Sequence, residues 1–136
     1  AKRNYAQCHT RYQSGQQKES RVKFYEGEGA AGIVLASGVP SNFTEPLPDF
    51  NIDPEGYISE SKRVYNLDRE KVLALNVKAR AYWCVPIRKF DMEKEIIAVV
   101  SIDTMLPEAF NNEDFKKIIA PKIITEINSF SSGVVV

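Results

Sequence analysis

Two consecutive apolar stretches limit the fold of this chain more than any other feature: residues 82–89 (YWCVPIRK) and 95–104 (EIIAVVSIDT), joined by a charged turn at residues 90–94. The second stretch is apolar at successive positions until Ser101. That pattern belongs to a strand covered on both sides, so this strand is expected in the middle of a sheet. Everything else must pack on the pair. A chain of 136 residues is long enough for one domain with a core and too short for two, so residues 1–136 are read as a single domain. The chain opens at Ala1 and enters a strand pattern within a few residues, which predicts a domain taken from a longer parent protein.

Eighteen basic residues balance eighteen acidic ones, and neither sign forms a block. A nucleic-acid surface requires a basic patch or stripe, so no direct nucleic-acid partner is expected. No apolar run approaches the roughly 20 residues of a membrane span, and the first residues hold no signal-peptide core. The segment is therefore expected to be cytoplasmic, or the cytosolic part of a membrane-anchored parent. Cys8 and Cys84 are isolated, and His9 is the one histidine. A usual zinc site needs four Cys or His ligands, so no metal is expected. Each cysteine is read as a small buried hydrophobe on a strand. The spacing leaves a disulfide between them open, while their scarcity fits a reducing compartment.

Residues 4–13 alternate, with Ala6, Cys8, Thr10 and Tyr12 on one face and Gln7, His9, Arg11 and Gln13 on the other. Residues 14–19 are polar and contain Gly15, after which Val22 and Phe24 resume the alternation. A β-hairpin with its turn over 14–19 is the simplest reading. His9, on the polar face beside Arg11, is read as a solvated strand residue.

Gly27-Glu28-Gly29-Ala30-Ala31-Gly32 is a literal GxGxxG between a strand and a helical pattern. A dinucleotide site would need a buried parallel strand before it and a second strand ending in an acidic residue about 20 positions later. Here the preceding strand belongs to a hairpin, and the following segment carries Pro40, Pro46, Pro48 and Pro54. The glycines are instead expected to turn the backbone tightly and to let a short helix, ending near Ser37-Gly38, approach the sheet.

Residues 39–65 are rich in Pro, Asn, Ser, Asp and Gly, with Phe43, Leu47, Phe50, Ile52, Tyr57, Ile58 and Tyr65 spaced through them. Such a segment reads as an irregular lid or binding loop and is the best binding-site candidate in the chain. A short helix from Asp68, its N-cap, to Leu75 follows. Beyond Thr104, Asn111 is the expected N-cap of a final helix, with Phe110 stapled onto Phe115. Phe115, Ile118, Ile119, Ile123, Ile127 and Phe130 form its expected apolar stripe. Pro121 predicts a kink or break there.

Taken in order, four pieces resemble a GAF domain: residues 27–40 from the glycine segment to Val39-Pro40, residues 78–87, residues 97–103, and the helix opening at residues 110–115. The match covers most of the chain. The resemblance implies an α+β, PAS-like fold, with a central, mostly antiparallel sheet. Helices would pack on one face, and a loop-covered small-molecule pocket would lie on the other, under residues 40–66. Related domains usually begin with a helix that packs beside the last one in a homodimer; no such first helix is present here. Cyclic-nucleotide-binding members carry an Asn-Lys pair where this chain has Asp103-Thr104, and bilin-binding members need a cysteine or histidine that residues 40–79 lack. Neither ligand is expected.

The resemblance implies a non-catalytic sensing domain, in signal transduction or transcription regulation, that passes ligand occupancy to an output domain of the parent. In that reading Arg80 and Arg88 meet an anionic group, Tyr57, Tyr65 and Trp83 stack on a ring, Phe50 lines the pocket, and Asp49 or Asp103 accepts hydrogen bonds. Two other readings stand beside it. One is a ligand-free interaction or dimerisation module with its pocket filled by its own aromatics. The other is a thiol-based enzyme resembling methionine sulfoxide reductases, which needs an exposed cysteine of low pKa.

Overall fold

The computed structural model describes residues 4–7, 11–13, 16–18, 22–43, 45–89 and 92–131. Helices and antiparallel strands are mixed along the chain, an α+β arrangement. At the N-terminus β1 (Tyr5–Gln7) pairs with β4 (Lys23–Tyr25), and β2 (Arg11–Gln13) pairs with β3 (Gln16–Lys18), each antiparallel. Both pairings are those of the expected hairpin, and strand structure extends into the residues that composition assigned to its turn. Gln16–Lys18 is strand, because pairing with Arg11–Gln13 occupies backbone groups that polar side chains alone leave to water. Cys8, His9 and residues 14–15, where the turn was expected, lie outside the described residues.

Helix α1 (Gly29–Ser37) ends where expected, at Gly38, whose φ of 69° is the left-handed cap conformation that glycine adopts without strain. Gly32 explains the glycine segment. A Cβ there would stand 2.2 Å from the Tyr25 carbonyl oxygen, so only glycine lets α1 lie this close to β4. The strand before the motif is antiparallel, as the rejection of a dinucleotide site assumed.

The region expected to be irregular contains a three-turn helix, α2 (Pro54–Tyr65), and a short strand, β5 (Ser41–Phe43). Pro54 is not a breaker here. It occupies the first helical turn, where its missing N–H goes unmissed, and the Asp53 carboxylate caps the end by accepting from the Gly56 N–H at 2.9 Å. Asn66 closes the helix in the left-handed region, its N–H donating to the Lys62 carbonyl. Tyr57, Ser61 and Tyr65, each four residues apart, form the buried stripe with Ile58. Helix α3 (Arg69–Ala74) follows, burying Val72. The Asp68 before it gives its carboxylate to Lys62 rather than to the helix end.

A three-stranded antiparallel sheet runs in the order β5, β6 (Ala81–Lys89), β7 (Met92–Thr104). This corrects the expected placement. β6, not β7, is the middle strand; among the described residues β7 pairs with β6 alone, and Ile97 is 59 % exposed. The ladder slips beside Ile87 and Arg88, a bulge that falls at Ile97, an exposed residue of the run. Strand structure also begins at Met92, shortening the expected turn.

Both faces of β6 are covered by helices, rather than one face by helices and the other by a loop. On one face Cys84 and Tyr82 pack with α1, α2, Leu47, Leu67 and Val72. On the other, Ala81, Trp83 and Val85 pack with Phe110, Phe115 and the final helix. That helix starts one residue later than expected: Asn112, not Asn111, accepts the Asp114 and Phe115 N–H groups. A 3-10 turn (Ala109–Asn111) brings Phe110 onto Phe115, ring centroids 5.0 Å apart, so the expected staple forms.

Pro121 produces neither a break nor an ordinary helical turn. The residues before it, Phe115–Ile119, wind as a π-helix, and α4 (Ala120–Ser131) continues from them. The Ala120 N–H reaches back five residues to the Phe115 carbonyl, the wider spacing that accommodates a residue without an N–H. One extra residue in this turn rotates the buried face. Phe115 and Ala120 are inside, Ile123, Ile124 and Ile127 follow, and Ile118 and Ile119 are 62 % and 46 % exposed. The expected membership of Ile118 and Ile119 in the stripe is therefore overturned.

Candidate functional site

Beneath α2 lies a cluster of tyrosines. Tyr57 and Tyr65, one above the other on α2, are 0 % and 1 % exposed. Phe50 meets Tyr57 edge-on at 5.6 Å, and Tyr82 of β6 meets Tyr65 edge-on at 5.1 Å, the arrangement that the ring quadrupoles favour. The Tyr57 hydroxyl donates to the Ala79 carbonyl at 2.7 Å. Burial pushes the Tyr57 phenol up to about 12, offset in part by a hydrogen bond from Tyr82. Burial likewise raises Tyr65 and Tyr82, with the neighbouring anion of Asp103 adding to the effect at Tyr82. All three are held neutral at physiological pH, and together they make a hydrogen-bonding, aromatic interior.

The remaining expected residues divide. Asp103 stands opposite Tyr82 on β7 and belongs to the cluster through its charge. Phe50 borders it, with the Lys78 ammonium 5.3 Å from its ring centre. Asp49 does not join. Its carboxylate accepts from the Asn51 N–H at 2.9 Å, closing the turn before α2. Arg80 is committed to the loop: its Nε donates to the Leu47 carbonyl at 2.9 Å, and its own carbonyl accepts from the Leu47 N–H. Arg88 donates to the Gly38 carbonyl at the end of α1. Trp83 lies on the opposite face of β6, 4 % exposed and edge-on to Phe115 at 5.4 Å. Period-two alternation separates it from Tyr57 and Tyr65 and puts Tyr82 there instead. Tyr82 is the site residue that the sequence reading missed, and the alternation of Tyr82, Trp83 and Cys84 was the signal for it.

Cys84 completes this face. It is fully buried, and its thiol donates to Ser101 Oγ, its cross-strand partner, at 3.2 Å. Burial pushes the thiol up to about 12. A thiolate nucleophile at this position is thus disfavoured at neutral pH. Among the described residues, no group of three or more His, Cys, Asp or Glu could hold a metal ion, and no helix is long and apolar enough to cross a membrane. No family model matches the chain, and no curated protein matches its sequence.

Proposed function

We propose that this chain is a non-catalytic regulatory domain of GAF or PAS type. It responds to a small molecule and passes that state to an output domain of a longer cytoplasmic parent. The observation that carries the reading is that β6 belongs to two buried clusters at once. A ligand that entered among Phe50, Tyr57, Tyr65 and Tyr82 would have to turn these rings or lift α2. Either change moves Tyr82 and Cys84, and on the same strand Trp83 and Val85 hold Phe115 and the final helix. Close packing makes such a strand transmit displacement rather than absorb it. The ligand works only by its preference for the opened arrangement over the filled one. Its apparent affinity falls by the fraction of molecules that are open. A ring with a hydrogen-bonding substituent fits the phenols and Asp103; the usual cyclic-nucleotide and bilin sites do not.

The interaction-module reading has one observation in its favour: Tyr57 and Tyr65 already fill the space. In that case Ile118 and Ile119, exposed on the final helix, are the residues a homodimer through that helix would cover. The enzyme reading is weakened at Cys84 by its burial. Native mass spectrometry of freshly purified protein separates the first two. A co-purified small molecule, or a compound that raises the melting temperature and shifts the emission of Trp83, supports sensing. A ligand-free dimer unmoved by any compound tested points to the interaction module.

A further inference from the structure

We propose that helices α2 and α3 form one lid over the tyrosine cluster, and that the glycine turn before α1 is its catch, with Glu28 and the Gly27 carbonyl holding down the α2–α3 corner. What the lid serves rests on the sensing reading. Its opening does not, and is measured without any ligand.

The two helices are fastened to each other at two places. Arg69 of α3 donates to the Glu55 carboxylate on the first turn of α2, with Nη1 at 3.1 Å. Around the corner Lys62 pairs with Asp68 at 2.9 Å, and the Leu67 N–H donates to the Ser61 carbonyl at 3.2 Å. They are held to the rest of the fold differently. Among the described residues no backbone–backbone hydrogen bond joins residues 54–74 to the sheet or to α1, whereas β6 is laced to β5 and β7. An element held by side chains opens at lower cost than a strand inside a ladder.

The glycine segment supplies the fastening at the corner. Gly27 and Gly29 both have positive φ, 86° and 67°. A Cβ on Gly27 would meet nothing within 4 Å, so backbone direction and not space requires glycine there. That direction sets the Glu28 carboxylate 2.8 Å from Lys71 Nζ and the Gly27 carbonyl 3.4 Å from Asn66 Nδ2. Lys71 also lies over the Tyr25 ring of β4, 4.8 Å from its centre. The Lys71 and Glu28 side chains are 26 % and 15 % exposed, whereas Lys62–Asp68, Arg63–Glu45 and Arg69–Glu55 are more than half exposed at both partners. Water and salt screen the exposed pairs, so Lys71–Glu28 is the ion pair that holds the lid to the body. At the start of α2 the Tyr57 hydroxyl sits on the Ala79 carbonyl. Release at the catch therefore frees the far end of α2, the end that carries Tyr65.

The test is hydrogen exchange read by mass spectrometry on the full, ligand-free chain. In the parent, α2 and α3 should exchange through one shared opening that is more frequent than the opening of β6. Lys71→Met keeps the stem and removes the charge. It should speed exchange across residues 54–74 by about fivefold and leave residues 81–89 and 120–131 within about twofold of the parent. Glu28→Gln should do the same, and the double variant should be no faster than either, since both changes remove one interaction. Unchanged exchange of residues 54–74 in the two single variants overturns the proposal, as do effects that multiply in the double variant. An equal rise in β6 and the final helix also overturns it, because the pair would then serve global stability alone. So does a parent in which α2 exchanges only together with β6, a result that depends on no variant folding. A catch that behaves as expected in a chain that binds no compound would sink the sensing reading and leave the lid standing.

Discussion

Tyr57 is the residue on which the interior beneath α2 depends, because its one hydroxyl links the helix to the Ala79 carbonyl and to Tyr82. Tyr57→Phe keeps the ring and leaves a buried carbonyl without its donor. Urea denaturation should register a loss of about 1–3 kcal/mol, and a change within 0.5 kcal/mol, roughly the scatter of neutral surface substitutions, would show that the bond contributes nothing net. Cys84 predicts a pH dependence. A water-exposed thiol titrates at about 8.5–9, and burial in the fold pushes this one up to about 12. Above 9 the unfolded chain has lost a proton that the folded chain keeps, so the unfolded state is favoured as pH rises. The contribution is intact below 9 and lost through 12, at about 1.4 kcal/mol per pH unit. Urea midpoints measured from pH 8 to 10.5 should fall, and Cys84→Val should flatten the slope while the tyrosines leave a residual decline. Gly32→Ala should destabilise by about 1–3 kcal/mol or more, the range for forcing atoms into a filled space, because the Tyr25 carbonyl at 2.2 Å from the new Cβ is backbone and cannot swing away. A melting temperature equal to the parent's would disprove that close approach.

At the scale of elements, the final helix gives the sharpest contrast between two registers. A regular α-helix through residues 115–130 would bury Ile118 or Ile119, whereas the π-helical turn before Pro121 turns both outward and keeps Ile123 and Ile127 inside. Ile118→Glu and Ile119→Glu should each change stability by no more than about 0.5 kcal/mol, as surface substitutions do. Ile127→Glu, which sets a charge against the apolar cluster that Ile127 packs on, should cost several times that. The reverse order in urea melts would mean that the helix keeps an ordinary pitch. The same element shows how local chemistry was legible and how its outcome was not. Pro121 announced a disturbance, but whether the helix bends, breaks or widens depends on where Phe115 and Ala120 must sit to cover Trp83. Helix α2 was hidden for a related reason. Asp53-Pro54-Glu55 is a good helix start, yet its proline sits among three others, and the stripe of Tyr57, Ser61 and Tyr65 places a polar residue in its middle.

For the whole molecule, sharing β6 between the two clusters has a thermodynamic consequence. If the strand couples them, unfolding followed by the emission of Trp83, which reports one cluster, should coincide with unfolding followed by far-ultraviolet circular dichroism. Separate transitions would mean that the clusters are independent and that β6 transmits nothing between them. Val72→Ala, a truncation in the first cluster, should then also shift the Trp83 midpoint, by about 1 kcal/mol or more given the cavity left behind.

Much of the framework was determined by sequence alone, because it rests on neighbours a few residues apart. Apolar runs mark β6 and β7, alternation marks the N-terminal hairpin, Gly38 ends α1, and Phe110 staples to Phe115, all through local backbone preference and short-range contact. Which residues share the candidate site was decided by tertiary structure. Tyr57, Tyr65 and Tyr82 meet because α2 lies across one face of β6, while Trp83, adjacent to Tyr82 in sequence, is carried to the other face by the strand's own pleat. Arg80 is charged in any fold, but only the packed chain gives its Nε the Leu47 carbonyl, 33 residues away, as a partner. Burial of a ring or commitment of a charge depends on surfaces far apart in sequence, and no local pattern records which surfaces those are.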